Sequence, residues 1–270
     1  MAEEFDVIVI GGGAAGENVA GRVQDGGLSA VVIESDLIGG ECSYWACMPS
    51  KALLRPGEAL AVARRVPSIR EAVTGGIDVE KALSGRNAFA SNWDDSGQEQ
   101  WLASVNAELI RGHGQITGEK AVTAFEKDGT VRELVARKAV VVATGSTSFI
   151  PPIDGLDGAA AWDSRKIVTS PTVPERLLIL GGGVVGIEMA QAWNSLGSDV
   201  TVIEMQDGLL PMEEPAAGEL VAKAFEEKGI KVLTGKPVTA VRRDGAEVRV
   251  ILADGGSVAG TELVVAVGRA

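Results

Sequence analysis

The sequence predicts an α/β protein built from two doubly wound, three-layer units, with a β-meander completing the second. Three observations lead there. A strand–glycine turn–helix–strand unit occurs twice, the strands are continuous apolar runs of the kind buried in parallel sheets, and glycines (35 of 270 residues) gather at the ends of those runs. Hydrophobic residues make up 46% and charged residues 23%, enough apolar surface for a sizeable core. Twenty-five Lys and Arg against 37 Asp and Glu leave a net charge of −12, which argues against a nucleic-acid or anionic-membrane surface. No apolar run approaches the ~18 residues of a membrane span. Glu3 and Glu4 stand where a secretory signal would be basic, so a cytoplasmic protein is expected. Two cysteines are too few for a secreted disulfide scaffold.

The first element is the apolar run Phe5–Ile10. It opens the stretch VIVIGGGAAGENVAGRVQDGGLSAVVIE at residues 7–34, which returns as LLILGGGVVGIEMAQAWNSLGSDVTVIE at 177–204, a constant offset of 170. Gly11/Gly181, Gly13/Gly183, Gly16/Gly186, Gly27/Gly197 and Glu34/Glu204 coincide. Each copy has the parts of a Rossmann-like dinucleotide-binding unit. Gly11 and Gly181 permit the tight turn, Gly13 and Gly183 let backbone approach a pyrophosphate, and Gly16 and Gly186 let helix pack on strand. Ala14 and Ala15 in one copy, and Val184 and Val185 in the other, carry the helix N-terminus whose free amides face the anion. The acidic residue closing the second strand accepts from a ribose hydroxyl. Glu204 would repel a 2′-phosphate, and no Lys or Arg occurs at residues 205–222 to offset it, so the second site is expected to prefer NAD(H).

Between the copies lies GGECSYWACMPSKALLRP, residues 39–56. On one regular helix Cys42 and Cys47 would stand about 140° apart, too divergent for a disulfide. Pairing requires the chain at Cys42 to leave that geometry, which Gly39 and Gly40 permit. Pro49 fits the first turn of the helix that continues through Lys51–Leu54, so Cys47 is expected at a helix N-terminus, where a thiolate is favoured. Two other readings stand beside redox chemistry. One is a pair of small buried thiols; the other is a metal site, disfavoured because the single histidine, His113, is remote.

Helices follow near Lys51–Arg65, Asp78–Asn87 and Ser96–Ala107, then a hairpin of Val122–Phe125 with Val131–Val135 and a buried strand Ala139–Ala143. Pro151, Pro152, Asp154, Gly155 and Asp157 punctuate a linker. The second unit adds a helix from about Pro215 to Lys228, a strand Ile230–Leu233 and a meander ending at Val267. Glu213 and Glu214 precede that helix and suit its dipole, and Met205 and Met212 read as packing residues. The expected division is residues 1–150, a linker at 151–170, and 171–270.

With both fingerprints flanking Gly-Gly-x-Cys-x4-Cys-x-Pro-Ser-Lys, the chain resembles the flavin-dependent pyridine nucleotide–disulfide oxidoreductases, in the branch of lipoamide dehydrogenase and mercuric reductase. The resemblance covers essentially all 270 residues. It implies FAD on residues 1–150, NAD(H) on residues 171–270, and a redox-active Cys42–Cys47 disulfide serving a small lipoamide-like dithiol or disulfide. Gly11, Gly13, Gly16 and Glu34 would hold FAD, with Gly40, Glu41 and Cys42 beside it. Lys51 would sit near the flavin and pair with Glu188. Gly114 matches a position where backbone meets adenine, and Thr144, Gly145 and Ser146 match the stretch closing the first half of the FAD domain. Gly181, Gly183, Gly186 and Glu204 would bind NAD, with Val238 and Gly268 lining that site. Cys47 would face the flavin and Cys42 would exchange with substrate.

Two positions depart from the family. Glu41 replaces the usual Thr and is expected to point away from the FAD phosphates or to be offset by a cation. Ser43-Tyr44-Trp45-Ala46 replaces the commoner Leu-Asn-Val-Gly, with Trp45 expected either to fill core space or to narrow the approach to the dithiol. The family continues past Ala270 with a Gly-Asp segment, a dimerisation domain and a His–Glu pair. The chain is therefore read as part of a longer, homodimeric protein, with His113 as an ordinary structural histidine.

Overall fold

In the computed structural model, which describes residues 2–270, the elements run β1 (Glu3–Ile10), α1 (Ala14–Asp25), β2 (Ala30–Glu34), α2 (Gly40–Tyr44), α3 (Cys47–Arg65), α4 (Val79–Phe89), α5 (Ser96–Ser104), β3 (Glu108–Gly118), β4 (Ala121–Glu126) and β5 (Val131–Val142). Then come α6 (Ser164–Thr169), β6 (Arg176–Leu180), α7 (Val184–Ser195), β7 (Asp199–Ile203), α8 (Pro215–Glu227), β8 (Lys231–Leu233), β9 (Val238–Asp244), β10 (Glu247–Leu252), β11 (Ser257–Gly260) and β12 (Glu262–Val265). The chain divides into two units. One joins the residues up to Met48 to Ala88–Gly145; the other joins Pro49–Asn87 to Ser146–Ala270.

In the first unit β1 lies between β2 and β5, parallel to both, and β2 pairs in parallel with β3. β4 pairs antiparallel with β3 and with β5, closing the five strands on themselves. The apolar run of β1 is buried on both faces, as a central parallel strand must be. Ile8 and Ile10 pack with Val31, Ile33 and Ile110 on one side, while Val7 and Val9 pack with Val32, Ala20 and Leu102 on the other. In the second unit β12, β6, β7 and β8 form a four-stranded parallel sheet, and β9, β10 and β11 form a separate antiparallel meander. Leu178, Leu180 and Ile203 meet Val241, Val248 and Val250 in one core cluster between them.

Several expectations need correction. The hairpin arm at 131–135 and the strand at 139–143 are one continuous strand, β5, because β1 pairs along it from Leu134 to Val142. Its second half is not buried. Val142 is 61% exposed, since β4 reaches only Val131–Val135 and no described strand flanks residues 139–142 on that side. The meander ends with β11, and the following strand β12 inserts beside β6 in the parallel sheet. Residues 151–170 are packed structure instead of a tether. Leu156 and Ala159 enter the second core, and Asp163 caps α6 by accepting from the amides of Arg165 (3.0 Å) and Lys166 (2.7 Å). The expected break near residue 150 falls at 145/146, but residues 49–87 group with the second unit.

A buried arginine explains part of that grouping. Arg86 in α4 is 2% exposed and its Nη1 donates to the carbonyls of Val168 (2.9 Å) and Ser170 (2.8 Å), while Nε and Nη2 both donate to Asn87 Oδ1. Burial lowers its pKa, the sign of a guanidinium held by neutral acceptors. Arg86→Leu should therefore destabilise the second unit by about 2–4 kcal/mol, because two carbonyls lose a charged donor. Chemical denaturation followed by circular dichroism checks this; a loss below about 1 kcal/mol would show that water replaces the guanidinium. Among the described residues, no helix is long and apolar enough to cross a membrane, and no group of three or more His, Cys, Asp or Glu is placed to hold a metal ion.

Candidate functional site

The two fingerprint copies repeat one another contact by contact. Gly11 donates its amide to Ile33 O at 2.8 Å and Gly181 donates to Ile203 O at 2.9 Å. Gly11 and Gly181 have φ of +100° and +106°, and a Cβ on either would stand 2.2 or 2.3 Å from the carbonyl oxygen of Ala143 or Ala266. A Cβ on Gly16 or Gly186 would stand 1.9 or 2.0 Å from the carbonyl oxygen of Gly11 or Gly181. The third glycine of each fingerprint is thus the floor on which its own first turn rests. Gly13 and Gly183 differ from both. They precede α1 and α7 as N-caps without a capping side chain, and a Cβ there would meet nothing closer than 3.9 Å and nothing within 4 Å respectively. Uncapped helix amides beside open space suit a pyrophosphate.

The acidic residues are held firmly. Glu34 accepts from the amides of Gly12 (2.6 Å) and Asp36 (2.7 Å), and Glu204 accepts from those of Gly182 (2.6 Å) and Gln206 (2.8 Å). The middle glycines, Gly12 and Gly182, were not singled out in the sequence, although they orient the carboxylates. The signal was present, since both share the 170-residue offset.

A cavity of about 660 Å³ in the second unit is lined by Gly181, Gly183, Val184, Val185, Glu204 and Gly268, with Val238 at its edge. Its size is that of a cofactor pocket. Lys236 also lines it and was missed, because it lies beyond the stretch searched for basic residues; its Nζ is bound to Asp254 Oδ2 at 2.6 Å. Ser146 falls in this unit too, its hydroxyl accepting from Arg269 Nε at 2.9 Å. In the first unit Thr144 and Gly145 follow β5, the Thr144 amide lying near the Gly11 turn. Gly114 sits in β3 opposite Ala124, where a Cβ would press Ile10 and Ile33 at 3.1 and 3.2 Å. His113, beside it, is exposed.

The two cysteines do not share a helix. Cys42 lies within α2, the backbone breaks at Trp45 (φ −132°, ψ 0°), and Cys47 opens α3. The break comes after Cys42, not at the glycines ahead of it, although Gly39 (φ +106°) and Gly40 (φ +60°) set the entry to α2. It brings the thiols into hydrogen-bonding contact, both unbridged, with Cys42 half-buried and Cys47 exposed. That bond, then burial, then the charges of Cys47 and Glu17 push the Cys42 thiol up to about 11. Glu41 stands in the first turn of α2 with Oε2 buried. The core aromatic is Tyr44, fully buried with its hydroxyl donating to Gln98 Oε1 at 2.8 Å; Trp45 is half-buried and meets it edge-on at 5.7 Å. Trp93 Nε1 donates to the Tyr44 carbonyl at 3.1 Å and fixes the same turn.

In the second unit Lys51 Nζ donates to both oxygens of Glu188, at 2.6 and 2.7 Å. Their side chains are 57% and 27% exposed, so the pair adds little to stability.

Comparison with known proteins agrees with this geometry. The family model for pyridine nucleotide-disulphide oxidoreductase matches residues 5–270. A dihydrolipoyl dehydrogenase of Chlorobaculum tepidum is 33% identical over 255 residues, 93% of this chain and 54% of that protein. A mercuric reductase of Lysinibacillus sphaericus is 28% identical over 271 residues, 99% of this chain and 48% of that protein. The copper(II) complex of the HOCl-induced flavoprotein disulfide reductase RclA from Escherichia coli superposes with a TM-score of 0.86 over 100% of this chain and 57% of its own, at 23% identity, a likeness of fold. The chain spans about half the length of the curated relatives it matches. With two dinucleotide cradles, a thiol pair between them in sequence and a family match across residues 5–270, the chain belongs to the pyridine nucleotide-disulphide oxidoreductases, a family that uses FAD and NAD(P)H.

Proposed function

We propose that this chain is the nucleotide- and dithiol-bearing part of a dihydrolipoyl dehydrogenase-like enzyme, passing two electrons between NAD(H), FAD, the Cys42–Cys47 pair and a small lipoamide-like dithiol or disulfide. The observation that carries this reading is the contact between the two thiols, made across the helix break at Trp45. The uncapped N-terminus of α1 and the carboxylate of Glu34 would hold FAD, and their counterparts at α7 and Glu204 would hold NAD(H). Bound flavin supplies the two-electron exchange between nicotinamide and sulfur. In the reducing direction the disulfide accepts two electrons and opens to two thiolates. Cys42 attacks one sulfur of the substrate disulfide and expels the other as a thiolate; Cys47 then attacks Cys42, re-forms the disulfide and releases the second product thiol. Lys51, placed by Glu188, provides fixed positive charge for the ring. A cytoplasmic, homodimeric parent protein is part of the proposal, which for this rests on the family match.

The relative named mercuric reductase supports a second reading, reduction of a metal ion or other acceptor, and the half-length match supports a third, a nucleotide-binding fragment without turnover. One experiment separates the first reading from the third. Yellow protein that releases FAD on denaturation, oxidises NADH with lipoamide and gains two thiols on reduction supports the proposal. Colourless protein without turnover supports the fragment reading.

The second cradle also sets a nucleotide preference. Glu204 is 6% exposed and fixed by two amides, so it cannot swing aside for a 2′-phosphate, and Lys236 is engaged by Asp254. NADH is expected to bind at least about tenfold more tightly than NADPH, a difference of ~1.4 kcal/mol. Calorimetric titration with both nucleotides measures it; equal affinities would show that Lys236 is released to the phosphate.

A further inference from the structure

Glu17 is the acidic residue of the first turn of α1, and nothing in the dinucleotide geometry uses it. Its Oε1 is buried without a hydrogen-bond partner, while the side chain also borders a polar recess of about 460 Å³ shared with Asn18, Ser91, Gln98 and Trp101. Glycine contacts fix where it stands. The Gly39 amide donates to Gly12 O at 2.7 Å, Gly13 and Gly39 form a parallel bridge, and a Cβ on Gly40 would lie 2.8 Å from Gly13 Cα. The first turns of α1 and α2 are thus pressed together, one carrying Glu17 four residues after Gly13, the other Cys42 two residues after Gly40.

Among the described residues, the groups around Glu17 supply no compensating cation. From α2 come Cys42 and Tyr44, both pushed up in part by the Glu17 charge, and Cys47 at the start of α3 is in contact with Cys42. Asp94 and Asp95, ahead of α5, add negative charge at Tyr44. Arg111 of β3 opposes them but is bound to Asp95 and Glu99. The Tyr44 hydroxyl donates to Gln98, not to Glu17. Burial accordingly pushes the Glu17 carboxyl up to about 7. The Glu17 charge is felt at Cys42, and two anions that interact in a low dielectric avoid being charged together.

We propose that Glu17 is the proton-holding group of the dithiol, so that Cys42 and Glu17 carry one negative charge between them. This rests on the dithiol function proposed above. When the disulfide accepts two electrons and opens, the Cys42 sulfur takes up a proton from water and the Glu17 carboxylate keeps the charge; when Cys42 attacks as the thiolate, that proton passes to Glu17. When the disulfide re-forms, Glu17 returns that proton. Glu17 acts on the reaction through Cys42, as a positioning residue for charge.

The test is the pH profile of Cys42 alkylation by iodoacetamide in the reduced protein, with the Cys42 adduct followed by peptide mass spectrometry. Below about pH 6 wild type and Glu17→Gln should react alike, because both present a neutral side chain to the thiol. Above about pH 8 the ionised wild-type carboxylate holds the thiol protonated, so Glu17→Gln should react on the order of two- to tenfold faster. Glu17→Asp should keep the pH-dependent part. A rate ratio that is flat across the range, whatever its value, overturns the proposal. Should Glu17→Gln not fold, the wild type still decides by infrared spectroscopy. A carboxylic acid band that titrates near pH 7 in the reduced protein, and at lower pH once Cys42 is alkylated to a neutral thioether, supports the proposal; a band indifferent to Cys42 overturns it. Alkylation needs no substrate or flavin, so a flat profile with lipoamide turnover intact removes Glu17 alone. A two-step profile without turnover removes the dithiol function and leaves the charge coupling.

Discussion

Cys42→Ser should abolish turnover of a disulfide substrate, by on the order of 10³-fold or more, while leaving the fold in place. The hydroxyl is close to the thiol in size, and Cys42 is half-buried in a short helix, so little packing is lost. What goes is the one other cysteine with which Cys47 could form an internal disulfide, and with it, on the proposed function, the electron store between flavin and substrate. The variant should gain no thiols on reduction, whereas wild type gains two. Oxidation of NADH with a quinone as acceptor distinguishes the mechanisms, since an acceptor that takes electrons directly from flavin does not need Cys42. Lipoamide turnover persisting within about tenfold of wild type would mean that the paired thiols are not on the path. Cys47→Ser, the partner substitution, should remove the long-wavelength absorption that a thiolate beside the flavin gives the reduced protein.

The fingerprints were legible because their chemistry lives in the backbone. Gly11, Gly16 and their counterparts are glycine for contacts that no other residue tolerates, so identity and spacing alone report the geometry. The same holds for Cys47, which Pro49 ties to a helix start. What stayed hidden depends on partners distant in sequence. Arg86 looks like any surface arginine of α4 until Val168 and Ser170, more than 80 residues on, present their carbonyls. Residues 49–87 were placed with the first unit because they follow it, yet Lys51 pairs with Glu188, and a Cβ on Gly57 would stand 2.6 Å from Ser195 Cβ. That Tyr44 is the fully buried aromatic of this stretch depends on which face the short helix α2 presents, and five residues are too few for periodicity to tell. Glu17 was not singled out in the sequence; its Oε1 is buried and it shares a recess with Ser91, Gln98 and Trp101, more than 70 residues on, which no local pattern encodes.

The glycines of the second fingerprint should separate stability from binding. A methyl at Gly186 would lie 2.0 Å from the Gly181 carbonyl oxygen, with backbone on one side and the β6 side chain Ile179 on the other, so α7 must move off the sheet. Overpacking of that kind without a rotamer to relieve it falls at the upper end of the usual cost, about 3 kcal/mol, and Gly186→Ala should lower the melting temperature of the second unit by roughly 10 °C. A methyl at Gly183 meets nothing within 4 Å, and the residue has φ −77° and ψ −175°, extended backbone open to any side chain. Gly183→Ala should therefore melt with wild type. Yet the same open space is where a pyrophosphate would approach the α7 amides, and the methyl would hold it off, weakening NADH by about tenfold or more. Differential scanning calorimetry and NADH titration on the two variants read both quantities. If Gly183→Ala bound NADH like wild type, the gap before α7 would not be the pyrophosphate cradle; if Gly186→Ala melted like wild type, the close packing of helix on turn would not be what holds the fingerprint in shape.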